Sequence, residues 1–364
     1  MKILFYGGCH AAALKEIFER YGQGVSYSSS LTNYQLIREN IPFPYENVAK
    51  YDVVIFNPIR NKESYNTVYL EEFLSKKNIP YFKYPWIQWN GYFPNYSNTK
   101  IGQWYQGWWP VFLDKLVTES DDLNNFLEKV FLKEDFEQLV VSNFNETTFR
   151  LNKNESDCDI KLSQYILENY KNIRLFLTPN HPSSHLYKYL ASKISDLINI
   201  QLDNSFEEID HEVQSGSSLP ILPSVKKVLN LRFPAGSFCN KFIFNSPNLS
   251  IKEYLNLIYC AKEIKKLIAK NNTRVYRIDF IPESLGKERF NGKPISFQKG
   301  SRILAKYICR IDKMYDEYFV HASYFDSSSN ANFYPCSVKV YRGHWIQTKE
   351  ELGPEVLGDE NTNI

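Results

Sequence analysis

Lys2-Ile3-Leu4-Phe5-Tyr6-Gly7-Gly8-Cys9-His10-Ala11 is the stretch that decides the fold. A short apolar run ended by two glycines reads as a buried strand that stops at a tight turn. The residues after it, His10–Tyr21, carry Leu14, Ile17 and Phe18 at helical spacing, and Gly22 and Gly24 end that pattern. Working outward, Val25–Ser28 reads as a second short strand. Tyr51–Phe56 (Tyr-Asp-Val-Val-Ile-Phe) is a third that stops at Asn57-Pro58, a helix spans Tyr69–Lys76, and Tyr81–Lys83 is a fourth strand. Strands alternating with helices predict an α/β fold with a parallel sheet and flanking crossover helices.

Beyond this core, Pro85–Pro110 is too dense in Trp, Tyr, Gly and Pro for regular structure throughout. Helical patterns resume at Asp114–Val130, Glu134–Asn143 and Ile160–Tyr170. Arg174–Leu177 reads as a strand and His185–Leu197 as a helix, while 214–218 is loop-like. After Phe233-Pro234-Ala235-Gly236 the character changes. Ile251–Lys270 predicts a basic amphipathic helix, Arg274–Phe280 a strand and Ser301–Tyr315 a helix, with Tyr318–Phe325 and Ser337–Ile346 paired as a hairpin. The expected organisation is a catalytic domain over 1–235, a smaller basic α+β C-terminal module over 236–350, and a disordered tail over 351–364.

The chain has 364 residues, 43% hydrophobic and 23% charged, which is globular composition. Its six cysteines are scattered, without CxxC pairs or Cys/His clusters, so no metal site is expected and a reducing compartment fits. The four-residue apolar run near the start is too short for a secretory signal, and no stretch approaches a membrane span. These features predict a cytoplasmic protein. Charge is uneven: residues 241–349 hold 19 Lys and Arg against 9 Asp and Glu, whereas residues 1–235 hold 24 against 27. Such a basic half favours an anionic partner, including the inner membrane surface. Neither a P-loop nor a GxGxxG turn is present, and no nucleic-acid partner is expected.

The turn Gly7-Gly8-Cys9-His10 places Cys9 at a helix N-terminus, on the carboxyl edge of the sheet where open α/β sheets bind ligands. Backbone N–H groups and the helix dipole there favour negative charge, lower a thiol's pKa and can hold an oxyanion. The layout is similar to the nucleophile turn of SGNH hydrolases, with Cys9 in place of serine. Asn180-His181-Pro182-Ser183 follows another strand, which makes His181 the candidate base, with His185 and His211 as competitors. Three residues before His181 stands Thr178 rather than an orienting acid. Asn57, at the end of its strand, is a candidate oxyanion donor.

Six segments in order make the resemblance specific: Gly7-Gly8-Cys9-His10-Ala11; Asp52-Val53-Val54 with Asn57; Gly91-Tyr92-Phe93-Pro94; the acidic segment Glu155–Ile160; Arg174-Leu175-Phe176-Leu177-Thr178-Pro179-Asn180-His181-Pro182-Ser183; and Pro220–Val225. Over residues 1–235 the chain resembles the WcbI-type polysaccharide-biosynthesis enzymes. That resemblance implies an SGNH-like core, coenzyme A or acetyl-CoA as acyl donor, and a carbohydrate acceptor, either a surface polysaccharide such as capsule or its lipid-linked precursor. Combined with the placement of these residues at strand ends, the expected catalytic residues are Cys9, His10, His181 and Asn57, with expected donor contacts at Gly7, Gly8, Gly91, Tyr92, Asn180 and Arg174. Arg150 and Lys153 are further candidates for its phosphates. Trp86, Trp89, Trp104, Trp108 and Trp109 would wall the cleft. The implied reaction is O-acyl transfer, either directly or through Cys9. Two alternatives remain open at this stage: a carbohydrate esterase of the same constellation, and a non-catalytic glycan- or membrane-binding subunit.

Overall fold

In the computed structural model the described residues are 1–240, except 102–104, 122, 134–135, 210 and 215. Parts of 250–259 follow, and then, as backbone, the strands between 275 and 352 named below. The chain divides into two compact units. The first comprises Met1–Pro94, Glu137–Ser215 and Val225–Pro234; the second comprises Asn95–Phe136, Gly216–Ser224 and Ala235–Ile364. One junction falls beside the expected boundary near 236, and 95–136 and 216–224 group with the C-terminal unit.

The first unit is built on strands β1 (Lys2–Gly7), β2 (Tyr27–Thr32), β3 (Val53–Phe56) and β4 (Tyr81–Lys83), joined through helices α1 (Cys9–Tyr21), α2 (Asn33–Arg38), α3 (Tyr45–Val48) and α4 (Thr67–Lys76). All four strands are parallel, in the order β2-β1-β3-β4. The register sets Ile3 opposite Val53 and Tyr6 opposite Phe56. Alternation then divides the side chains between two faces. Leu4, Tyr6, Val54 and Phe56 pack with Leu36, Val48, Leu70 and Leu74 from α2, α3 and α4. On the other face Phe5 meets Phe18 of α1 at 5.4 Å. Both faces are covered at the centre of the sheet, which explains why β1 and β3 read as continuous apolar runs.

From β1 the chain steps to β2 on one side and then returns to β3 on the other. The carboxyl ends of β1 and β3 therefore flank a topological switch point, where an open sheet leaves a crevice for ligands. Gly7 and Asn57 stand there. Helix Ser184–Ile198 packs beside α1. Strand Phe176–Thr178 is antiparallel to the short strand His181–Pro182 and stands outside the four-stranded sheet.

In the second unit, Tyr96–Ile101 and Tyr105–Pro110 form an antiparallel hairpin within the aromatic stretch. The helix expected over Asp114–Val130 is interrupted into Leu113–Thr118 and Leu123–Glu128. Five strands pair antiparallel in the order Phe333–Val340, Tyr318–Asp326, Ile303–Arg310, Val275–Pro282, Gly343–Leu352. Glu288–Phe290 pairs separately with Lys293–Ile295. The helix expected at Ser301–Tyr315 is thus corrected to a strand. A short apolar run fits either period, and pairing on both flanks decides it. The expected hairpin partner also shifts, because Tyr318–Asp326 pairs with Phe333–Val340 and Gly343–Leu352 lies against Val275–Pro282. Most of the basic helix expected at Ile251–Lys270, the side chains of 260–349 and residues 353–364 of the tail lie outside the described residues, while Glu351 and Leu352 of the expected tail belong to strand Gly343–Leu352. Among the described residues no helix is long and apolar enough to cross a membrane.

Ile55 is fully buried in β3. Ile55→Ala is expected to lower unfolding free energy by about 2–5 kcal/mol, measured by urea denaturation.

Candidate functional site

The site grows from the β1–α1 turn. Gly8 caps α1 in an extended conformation with no side-chain cap. The N–H groups of Cys9 and His10 are instead directed at the half-buried Cys9 sulfur, with the Gln214 side chain as a further partner. Burial pushes the Cys9 thiol above its ordinary range, and these three groups pull it only part of the way back. The net direction is opposite to the lowering expected from the helix N-terminus, because desolvation of the thiolate outweighs the dipole. At neutral pH Cys9 is a thiol.

Gly7 leaves no room for a side chain unless its neighbours move. A Cβ there would lie 2.1 Å from Asn57 Oδ1 and 2.7 Å from the Tyr84 hydroxyl, and at Gly8 it would meet the Trp86 ring at 3.0 Å. Asn57 and Tyr84 directly follow β3 and β4, so both stand at the sheet's carboxyl edge beside Gly7. Tyr187, in the first turn of helix Ser184–Ile198, interacts electrostatically with both Cys9 and Tyr84. Burial holds the Tyr84 and Tyr187 hydroxyls protonated, far above the usual tyrosine range.

His10 is fully buried, 5.7 Å from the Trp86 ring, and its Nε2 lies 2.8 Å from the Asn180 carbonyl oxygen. A carbonyl only accepts, so Nε2 carries the proton and Nδ1 presents a lone pair. Desolvation, aided by nearby His181, holds the His10 pKa down at about 4. The ring is neutral throughout the physiological range. Its bond to Asn180 joins the turn before His181 to the turn that carries Cys9.

That second turn is fixed from several directions. Thr178 Oγ1 accepts the His181 N–H at 3.1 Å and donates to Asn180 Oδ1, while the Trp89 N–H donates to the Pro179 carbonyl. Threonine therefore shapes the turn where a hydrolase would hold an acid. His181 is half-buried, and His185 is exposed. Further along, Glu212 accepts the Ser184 N–H at 2.6 Å, and the Ser184 hydroxyl donates to the His211 carbonyl. An anion is favoured at that helix N-terminus, and this anchorage brings Gln214 to Cys9.

Other expected residues serve different local ends. The Tyr92 hydroxyl donates to the Tyr170 and Ile173 carbonyls at 2.8 and 3.1 Å, and Tyr92 is buried. At Gly91 a Cβ would lie 2.2 Å from the Trp89 ring. Arg174 is half-buried; its Nε donates to the Phe176 carbonyl at 3.2 Å, and its charge faces Glu212. Arg150 is exposed on its helix beside Glu146, and Lys153 lines a cleft described below. Trp104 lies outside the described residues, and Trp108 and Trp109 belong to the hairpin of the second unit. Among the described residues no group of His, Cys, Asp and Glu could hold a metal ion.

Around the Gly7–Cys9 turn, four buried polar atoms have no hydrogen-bond partner among the described residues: Asn57 Oδ1, the Tyr84 and Tyr187 hydroxyls and His10 Nδ1. Leaving such atoms unpaired costs about 1–3 kcal/mol each, and their concentration at a switch point marks a ligand site. Of these four, the sequence reading named Asn57 and His10. Tyr84 was findable by the rule that found Asn57, a residue just past a strand's carboxyl end. Nothing local marked Tyr187 or Gln214.

Two outcomes follow. Gly7→Ala is expected to cost about 1–3 kcal/mol in chemical denaturation, because Asn57 and Tyr84 must give way. His10 makes stability depend on pH with a definite sign. The unfolded chain takes up a proton as pH falls below 6.5, while the folded ring resists until about 4. Stability present above pH 6.5 is therefore lost towards pH 4, by on the order of 3 kcal/mol. His10→Gln keeps a donor for Asn180 and is expected to remove that component from urea midpoints measured across this window.

A family model described as polysaccharide biosynthesis enzyme WcbI matches residues 2–203. No curated protein matches the chain. A solved structure of WcbI, described as a novel polysaccharide biosynthesis enzyme in its native form without a disulfide bond between coenzyme A and one of its cysteines, shares 16% identity at a TM-score of 0.52. The match covers 74% of this chain and 96% of that one. With more than half its length matched by the family model, on a parallel-sheet fold that the solved structure shares, the chain belongs to the WcbI family of polysaccharide biosynthesis enzymes.

Proposed function

We propose that this chain is an acyltransferase that moves an acyl group, acetyl in the simplest case, from coenzyme A to a hydroxyl of a surface polysaccharide or its precursor. The observation that carries the proposal is the group of unpartnered buried polar atoms around the Cys9 turn, in a family whose solved relative is described with coenzyme A and a cysteine. The SGNH-like character of the core belongs to the same reading. So does a separate basic α+β module over 236–350, and so does work in the cytoplasm beside the inner membrane face.

In this mechanism the thioester carbonyl lies over the Gly7–His10 turn. Turn N–H groups, the Asn57 side chain with its amide turned inward, and the Tyr84 hydroxyl receive the developing oxyanion. His181 takes the proton of the sugar hydroxyl as that oxygen attacks the carbonyl carbon. The carbon–sulfur bond then breaks, and His181 returns the proton to the departing thiolate, leaving an ester and free coenzyme A. The elevated pKa of Cys9 favours direct transfer over a resting thiolate nucleophile. Cys9, with Gln214, then borders the sulfur of the donor. His10 acts as a positioning residue, since its neutral ring holds the Asn180–His181 turn in place.

Calorimetry with coenzyme A and acetyl-CoA tests the reading. Saturable binding to wild type is expected. His181→Ala is expected to retain that binding while thiol release in the presence of glycan falls by about a hundredfold to ten-thousandfold. Turnover of aryl esters with no response to coenzyme A would instead assign a carbohydrate esterase. Full function in both Cys9→Ala and His181→Ala would assign a binding subunit.

A further inference from the structure

A cleft of about 700 Å³ opens beside the switch point, and Asn57 and Trp86 lie in its lining. Its chemistry is distinctive. Asn33, Asn61 and Asn154 join Asn57 there, together with Tyr34 and Trp86. Tyr34 is exposed and Trp86 half-buried. Side-chain amides pair a donor with an acceptor and so match vicinal hydroxyls, while aromatic rings cover the C–H faces of pyranose rings. A pyrophosphate would instead call for a glycine-rich turn of backbone N–H groups, and no glycine lines this cleft among the described residues.

The charges of the cleft are also sorted. Arg60 pairs with Glu71 at 2.7 Å and with Asp157, and Lys83 pairs with Asp157 at 2.7 Å. Lys83, and after it Arg60, hold the Asp157 carboxyl below its usual range, so it stays ionised and compensates them. Lys62 and Lys153 also line the cleft and make no ion pair among the described residues. The lining thus presents amides, aromatic faces and uncompensated positive charge.

We propose that this cleft holds the acceptor, and that the acceptor is an anionic saccharide bearing a carboxylate or phosphate. The inference rests on the transferase reading for its direction. A hydroxyl at the Asn57 end of the saccharide sits beside the Gly7–Cys9 turn, because Asn57 and Trp86 belong to both. The two lysines hold the sugar's negative group, and Tyr34 stacks on a ring nearer the opening. A volume of this size accommodates two or three sugar rings.

The test titrates the full chain by calorimetry with a uronic-acid trisaccharide, a phosphorylated trisaccharide, neutral maltotriose and, separately, coenzyme A. Wild type is expected to bind at least one anionic trisaccharide about tenfold or more tightly than maltotriose, and less tightly as salt rises. The tighter of the two names the anion. Lys62→Glu combined with Lys153→Glu, both at exposed positions, is expected to remove that preference while leaving coenzyme A affinity unchanged, because in this assignment Lys153 serves the acceptor and not the donor's phosphates as its sequence position suggested. Tyr34→Ala is expected to weaken all saccharides alike. Loss of coenzyme A affinity in the double variant would overturn the proposal and give the cleft to the donor. Equal binding of neutral and anionic sugars would overturn the anionic assignment. A protein that binds coenzyme A but none of the saccharides would overturn the proposal as a whole. Anionic-saccharide binding lost in the double variant, from a protein that never binds coenzyme A, would keep the cleft as a glycan site and sink the transferase reading instead.

Discussion

The hydrogen bond from His10 Nε2 to the Asn180 carbonyl joins two turns that lie 170 residues apart in the chain. One turn carries Cys9 at the end of β1, and the other carries His181 outside the sheet. No main-sheet ladder connects them, so their mutual placement depends on contacts of this kind. The bond works because the histidine is buried and neutral. A charged ring there would have to be desolvated without a counterion, and the fold answers by lowering its pKa. The same burial that makes the bond specific also makes it sensitive to acid.

Close approach is the second constraint. Gly7 lets the Asn57 side chain and the Tyr84 hydroxyl come within the space a methyl group would occupy. Three consecutive strand ends of the sheet thereby crowd one point. The polar atoms gathered there have no hydrogen-bond partner among the described residues, whereas Glu155, buried away from the turn, takes the N–H groups of Leu162 and Ser163, and Thr147 takes that of Asn90. Four such atoms grouped at the switch point are groups that a polar ligand would satisfy.

Charge is handled differently in the crevice and in the cleft beside it. Around Cys9 the titratable groups are neutral, as burial favours thiol, phenol and uncharged imidazole. In the neighbouring cleft, ionised side chains sit at the surface in a network that leaves two lysines over. The proposed acyl transfer would use such a division. In that reading a dry, neutral centre would strengthen the dipoles aimed at the oxyanion and limit hydrolysis, while a wet, charged approach would select the acceptor.

The first half of the chain was legible because its signals are local. Short apolar runs ended by Gly7-Gly8 or Asn57-Pro58 and alternating with a clear helical period at α1 fit buried parallel strands. The motifs around Cys9 and His181 named the family for the same reason. Readings failed where two periods fit one run, as at Ile303–Arg310, or where distant partners set the outcome. The sequence by itself determined the parallel sheet, the turn at its edge and the residue types available for chemistry. Only the tertiary structure decided that Cys9 rests as a thiol, that the buried His10 bonds the Asn180 carbonyl, and that Tyr84, Tyr187 and Gln214 stand around the Cys9 turn. Protonation and reach depend on burial and on distances between segments, and a linear pattern carries neither.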